Sequence, residues 1–294
     1  MFWSLRRFEE TAEMQEFAVR DLFVPDQDVD NRWASMQGIH KFLDKNPGLK
    51  EIIRCRVGQV LQVATLRPRS GQLGTPKRLT VGNTHLFYHP MADHIRLMQA
   101  YVSCRKLDQI RRECPGDPSP IIFCGDLNSY PLSGTLRLLL HREVDNGHYE
   151  TWKNLNEYSW EKGEHEFLME HGFVGNDADM AIDPLYVDES FEDASEEALE
   201  PRVVHDGDAP PTIYLPSCFP NLISGYQKIP EFTNYAVDFS ETLDYILISE
   251  PMLEVVDAAP VFTRSDMEQF VAMPNEFMPS DHVSMLCDIQ SRPS

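Results

Sequence analysis

Between residues 57 and 66 (VGQVLQVATL), and again between 78 and 87 (RLTVGNTHLF), apolar and β-branched side chains are dense enough to predict two strands. The link between them, PRSGQLGTPK, is rich in Gly and Pro and reads as a hairpin connection. From Asp93 to Glu113 the period changes. Ile95, Met98 and Val102 share one face of a helix, Asp93 stands where an N-cap would, and the cluster CPGDPSP (114 to 120) ends it. A strand follows at 121 to 124, then the turn CGDLNSYP (124 to 131) and a helix starting near Ser133. Further strands are predicted at 243 to 248 (LDYILI), 253 to 262 and 283 to 289. Strands mixed with helices, several of them hairpin-connected, specify an α/β layered sandwich more than a purely parallel sheet.

The interval from about 143 to 215 breaks this pattern. It is poor in apolar residues, loop-rich, and reads as an insertion. It also changes the meaning of the net charge of −21, which by itself disfavours a polyanion partner. Residues 143 to 208 hold 20 acids against three bases, so −17 of the −21 resides there and the rest of the chain is nearly balanced. A nucleotide or oligonucleotide substrate is therefore not excluded. The 294 residues, 42% hydrophobic, can fill one large core. No run of about 18 apolar residues suggests a membrane span, and no secretory signal is readable. Six cysteines without a CxxC pair point to a reducing compartment.

Three short segments place ionisable side chains at the ends of apolar runs: Asn83-Thr84-His85, Asp126-Leu127-Asn128 and Ser280-Asp281-His282. A fourth, Leu243-Asp244-Tyr245, puts an acid inside such a run, where it needs a partner. Read singly, each admits a plain structural role: a strand histidine, a turn in which Asp126 bonds its own backbone, a solvated SDH turn. Read together, they supply the parts for phosphodiester hydrolysis. Asp244 can hold His282 in one tautomer, Asp126 can bind metal or orient water, and Asn128 and His85 can donate to a phosphate oxygen. No GxSxG, HExxH or GxxxxGK[ST] is present, which leaves serine-hydrolase, zincin and P-loop chemistry without support. His85, His89 and His94 lack the spacing of a zinc site, and DADMAID lacks the glycine and glutamate of an EF-hand loop.

NTHLFYHP (83 to 90) with IRLMQ just after it, IIFCGDLNSYPLSG (121 to 134), FTNYAVDFSETLDYILI (232 to 248) and PSDHVSMLCDI (279 to 289) resemble, in order and internal spacing, the exonuclease-endonuclease-phosphatase superfamily. Within it they look most like the group of deadenylases, nocturnin, Angel proteins and 2'-phosphodiesterase, and most of all the last. The resemblance implies a four-layer, DNase I-like α/β sandwich and a metal-dependent 3' to 5' exoribonuclease. Such an enzyme would use Mg²⁺ or Mn²⁺ to release AMP from 2',5'- or 3',5'-linked oligoadenylate or poly(A) RNA, with no membrane partner and in mitochondria or cytoplasm. It implies catalytic roles for His85, Asp126, Asn128, Asp244 and His282, and metal contacts for Asp126, Asn128, Asp281 and His282. Pro90 and Phe239 would stack the terminal base, and Asn234 would shape that pocket. Relatives also carry a metal-binding glutamate upstream of the segment that FWSLRRF resembles, and usually a glycine where Glu241 stands. The chain is therefore expected to be a single domain over 1 to 294, N-terminally incomplete, lacking the first strands. The competing expectation is a non-catalytic nucleotide-binding or scaffold member; a third keeps the fold but takes a lipid or inositol phosphate headgroup.

Overall fold

A computed structural model of the chain describes residues 4, 7–9, 13–24, 32–69, 77–113, 118–158 and 209–292. In order these form β1 (Glu13–Ala18), α1 (Ser35–Lys45), α2 (Pro47–Glu51), β2 (Val60–Leu66), β3 (Leu79–Thr84), α3 (Asp93–Arg112), β4 (Ile121–Asp126) and α4 (Gly134–His141). Then come β5 (Glu143–Val144), α5 (Tyr149–Trp152), β6 (Ile213–Tyr214), β7 (Asn221–Ser224), β8 (Asn234–Tyr235) and β9 (Ser240–Glu241). The last elements are β10 (Asp244–Glu250), β11 (Leu253–Ala258), α6 (Arg264–Met267) and β12 (Cys287–Ser291).

Six strands form one mixed sheet in the order β1-β2-β3-β4-β10-β7, and β11 pairs with β12 in a separate two-stranded sheet. The architecture is of the α/β class. β2 and β3 pair antiparallel, with Leu61 opposite Thr84 and Leu66 opposite Leu79, as a hairpin link requires. β3 and β4 are parallel, so the chain needs a crossover between them, and α3 provides it. On β4, Ile121 and Phe123 are fully buried whereas Ile122 and Cys124 are only partly so, the period-two signature of a sheet with one face under helices. The core beneath joins this face to Leu97, Tyr101 and Leu107 of α3, Leu138 and Leu139 of α4, and Met36 and Ile39 of α1.

Several expectations need correction. Strand 78–87 stops at Thr84, so His85 to Pro90 form a loop rather than ladder positions. Strand 57–66 begins at Val60, strand 253–262 ends at Ala258, and the last strand starts at Cys287 instead of 283. Asp93 does not cap α3; the cap position is Ala92, without a side-chain bond. The Asp93 carboxylate instead accepts from Gly134 N at 2.9 Å and Thr135 Oγ1 at 3.2 Å, binding the start of α4 to that of α3. Ser133 does cap α4, accepting from Leu136 N. The acidic interval begins and ends on the paired strands β5 and β6, and its central part, 159–208, lies outside the described residues, including DADMAID. Among the described residues the five cysteines are free thiols, and no helix is long and apolar enough to cross a membrane.

Candidate active site

Sheet direction brings the chemistry together. His85 follows the last residue of β3, Asp126 ends β4, and Asp244 begins β10. With β3 and β4 parallel and β10 antiparallel to β4, all three positions fall at one end of the sheet. Asp244 stands directly opposite Asp126 in the register. Alternation then puts both carboxylates on the face away from buried Phe123 and Tyr245. The approach to Asp126 passes through Gly125 at φ +137°, where a Cβ would lie 1.8 Å from the Thr84 carbonyl oxygen; only glycine lets β4 lie this close to β3.

His282 comes from a distant segment laid alongside β8: Asn234 forms an isolated bridge with His282, and Tyr235 N donates to Asp281 O at 2.9 Å. The result is a relay of four side chains. His282 Nδ1 lies 2.7 Å from Asp244 Oδ2, His282 Nε2 lies 3.9 Å from Asp126 Oδ2, and the same oxygen lies 3.5 Å from His85 Nε2. His85 is the open member, its side chain 69% exposed, whereas that of Asp126 is 17% exposed.

Asn128 joins through its backbone. Asp126 Oδ1 accepts from Asn128 N at 2.9 Å, so the self-bonded turn is real, and it coexists with the cluster because it uses the other carboxylate oxygen. At φ +46° Asn128 occupies the left-handed region that asparagine tolerates. Its Nδ2 donates to Leu86 O at 3.0 Å, which spends one amide donor on holding the loop that carries His85. Asp281 and Asn234 are bonded to each other, Nδ2 to Oδ2 at 3.2 Å, beside the relay. Pro90 and Phe239 are exposed on separate loops; Phe239 closes the β8–β9 turn, its carbonyl accepting from Ala236 N at 2.7 Å. Glu241 leaves the turn before Asp244 closed, since its carbonyl accepts from Thr233 N at 3.0 Å.

Burial and the facing Asp244 carboxylate raise the pKa of Asp126, against the opposing pull of the Asn128 N–H and the two imidazoles. The hydrogen bond to Asp244 raises His282 above the ordinary imidazole value, only partly offset by burial. Asp126, Asp244 and His282 each offer an atom within 4.8 Å of the others, the one group of three potential metal ligands found among the described residues. Two acids facing each other in a partly buried site suit a divalent cation, whose charge relieves their repulsion. His89 and His94 are no part of this site. Both are buried against Tyr158, and burial pushes His94 down to about 3.

Sequence reasoning missed the residues that hold the loops. Arg96, only 1% exposed, donates Nη1 to Phe87 O at 3.2 Å and to His89 O, Nη2 to Pro90 O at 3.4 Å, and Nε to Ser129 Oγ at 3.2 Å. It thereby fastens the loop after β3 to the loop after β4. A cation set between Ile95 and Leu97, near the start of α3, is the available signal.

The model of the Endonuclease/Exonuclease/phosphatase family matches residues 65–282. The chain belongs to this family. Among curated members, 2',5'-phosphodiesterase 12 of Mus musculus is 27% identical over 256 residues, 86% of this chain and 33% of that protein. The Homo sapiens protein of the same name is 27% identical over 232 residues, 79% of this chain and 29% of its own length. Protein angel homolog 1 of Rattus norvegicus is 35% identical over 108 residues, 36% of this chain and 16% of that protein. The chain thus spans about a third of the length of the phosphodiesterases it matches. Among solved structures, ANGEL2, described as a 2',3'-cyclic phosphatase in complex with adenosine-2',3'-vanadate, superposes with TM-score 0.57 at 18% identity, covering 96% of this chain and 67% of that one. That likeness establishes the fold of an endonuclease/exonuclease/phosphatase protein, of the DNase I-like type expected.

Proposed function

We propose that this chain is a metal-dependent phosphodiesterase, a 3' to 5' exoribonuclease that releases AMP from 2',5'- or 3',5'-linked oligoadenylate. One observation carries the reading: four side chains from distant segments, His85, Asp126, Asp244 and His282, meet in a chain of contacts between 2.7 and 3.9 Å at one end of the sheet. Membership of a phosphoester-hydrolysing family and the match to 2',5'-phosphodiesterase 12 over 86% of this chain support it.

In this reading His282 Nε2 takes the proton of the attacking water. Asp244 Oδ2 holds the opposite ring nitrogen, fixes the tautomer and stabilises the imidazolium as it forms. His85, exposed and next to Asp126, donates to a non-bridging phosphate oxygen together with the remaining amide donor of Asn128. The carboxylates of Asp126 and Asp244 would hold Mg²⁺ or Mn²⁺, with Asn128 and Asp281 at the margin and His282 reserved for the proton. The ion would neutralise the phosphate as negative charge builds. Phe239 and Pro90 would stack the terminal adenine, a contact worth about 1–3 kcal/mol that needs no basic groove. Asn234 would hold the wall of that pocket through Asp281. Residues 1–294 are read as one domain, with the acidic interval 143–215 as an insertion closed at its base by β5 and β6.

The test measures AMP release from 2',5'-triadenylate and from poly(A), with Mg²⁺ or with EDTA, for the chain and for Asp126→Ala. Release that needs the cation and is lost in the variant supports the enzyme. Equal, negligible release from both, with retained binding of oligoadenylate, would establish the non-catalytic nucleotide-binding member instead.

A further inference from the structure

We infer that Thr233, which touches neither phosphate nor metal in the mechanism above, is the positioning residue that sets the Asp244–His282 pair. It is fully buried, and its Oγ1 accepts from two consecutive backbone amides, Leu243 N and Asp244 N, each at 2.9 Å. In a regular strand successive N–H groups point to opposite edges. Two that converge on one oxygen mark a bend, and this bend is where β10 begins and where Asp244 leaves the backbone. The same residue reaches the other partner through its main chain: Thr233 O accepts from Val283 N at 2.8 Å, the residue after His282. Its neighbour Asn234 bridges His282 and bonds the Asp281 carboxylate. One buried residue therefore bonds the segment of the acid with its side chain and the segment of the imidazole with its backbone. The 2.7 Å contact between the two side chains is the consequence.

Two lone pairs on one hydroxyl oxygen are the feature required. Valine has the same shape without them, and serine has them without the extra methyl. Thr233→Val leaves two amides, one buried and one partly buried, without this partner and lets the start of β10 relax, whereas Thr233→Ser restores both bonds. This inference rests on the phosphodiesterase reading for its kinetic arm only. There, with 2',5'-triadenylate and Mg²⁺, Thr233→Val is expected to lower kcat roughly 100-fold, the scale of an ångström-level misplacement, with KM within about twofold. Thr233→Ser should recover all but a few-fold of kcat. The second arm needs no activity. The proton NMR signal of the His282 Nδ1–H bonded to Asp244 should be present in the unmodified chain, absent in Thr233→Val and present again in Thr233→Ser. Amide exchange at Leu243 and Asp244 should be slow in the unmodified chain. A Val variant that keeps the imidazole signal, a Ser variant as impaired as Val, or fast exchange at those two amides in the unmodified chain would each overturn the assignment. The exchange result decides the matter even if Thr233→Val does not fold. Loss of the signal in a chain that hydrolyses nothing would leave Thr233 as the positioning residue and dismiss only the phosphodiesterase reading.

Discussion

Replacing Asp244 by asparagine separates two effects that the geometry couples. The carboxylate makes a 2.7 Å bond to His282 Nδ1 and faces Asp126 across the strand register. The first interaction favours the charged imidazole; the second disfavours a charged Asp126. A charge-assisted hydrogen bond contributes about 1.5–3 kcal/mol, and the lower end applies here because both side chains retain some solvent contact, 29% for His282 and 23% for Asp244. The sign with pH follows from linkage. The folded-state pKa of His282 is raised, so its stabilisation is fully present below the unfolded value of 6.5 and is lost as pH rises through the higher folded value. The folded-state pKa of Asp126 is also raised, so its ionisation destabilises the fold at neutral and higher pH, and removing the Asp244 charge relieves part of that. Asp244→Asn should therefore be less stable than the unmodified chain by about 1.5 kcal/mol at pH 5.5. The gap should close, or reverse, by pH 9. Urea unfolding at the two pH values measures it, and an NMR titration of the His282 ring should show its pKa falling in the variant. In turnover, loss of the tautomer lock should reduce kcat on the order of 10²- to 10⁴-fold. A stability gap that is equal at both pH values, or that widens with pH, would refute the coupling.

Three further outcomes are expected. Gly125→Ala should destabilise by about 3 kcal/mol or more, because the added methyl meets the Thr84 carbonyl and the φ of +137° strains any side chain; thermal unfolding reads this, and a near-native midpoint would contradict the close β3–β4 approach. Phe239→Ala should raise KM for oligoadenylate about 5- to 100-fold with kcat little changed, whereas unchanged KM would point to a substrate without a stacked base. Mg²⁺ at about 100 times its Kd should add about 2.7 kcal/mol of stability to the chain and nothing to Asp126→Ala, measured as a shift in melting temperature that EDTA reverses.

What the linear chain declares and what it conceals divide along a physical line. Short continuous apolar runs identify β4 and β10, and the polar residues at their ends identify Asp126, Asn128 and Asp244 as places where a side chain leaves a buried strand. Ser133 is recognisable as a cap because capping acts over three residues. Asp93 looked like the same thing and was not, since its carboxylate found better partners on another helix, Gly134 and Thr135. The roles of Arg96 and Thr233 are not legible in the sequence for a related reason. A buried cation is tolerated only when several acceptors surround it, here three carbonyls of the loop after β3 and a hydroxyl of the loop after β4, and a threonine becomes a knot only when amides ten and eleven residues on bend towards it. Local pattern thus determined which residues stand at strand ends, because side-chain alternation and turn chemistry act between near neighbours. Which of those ends meet was decided by strand pairing across long stretches of chain. The parallel β3–β4 crossover and the Asp126–Asp244 register place the acids face to face, and the segment laid along β8 delivers His282 to them.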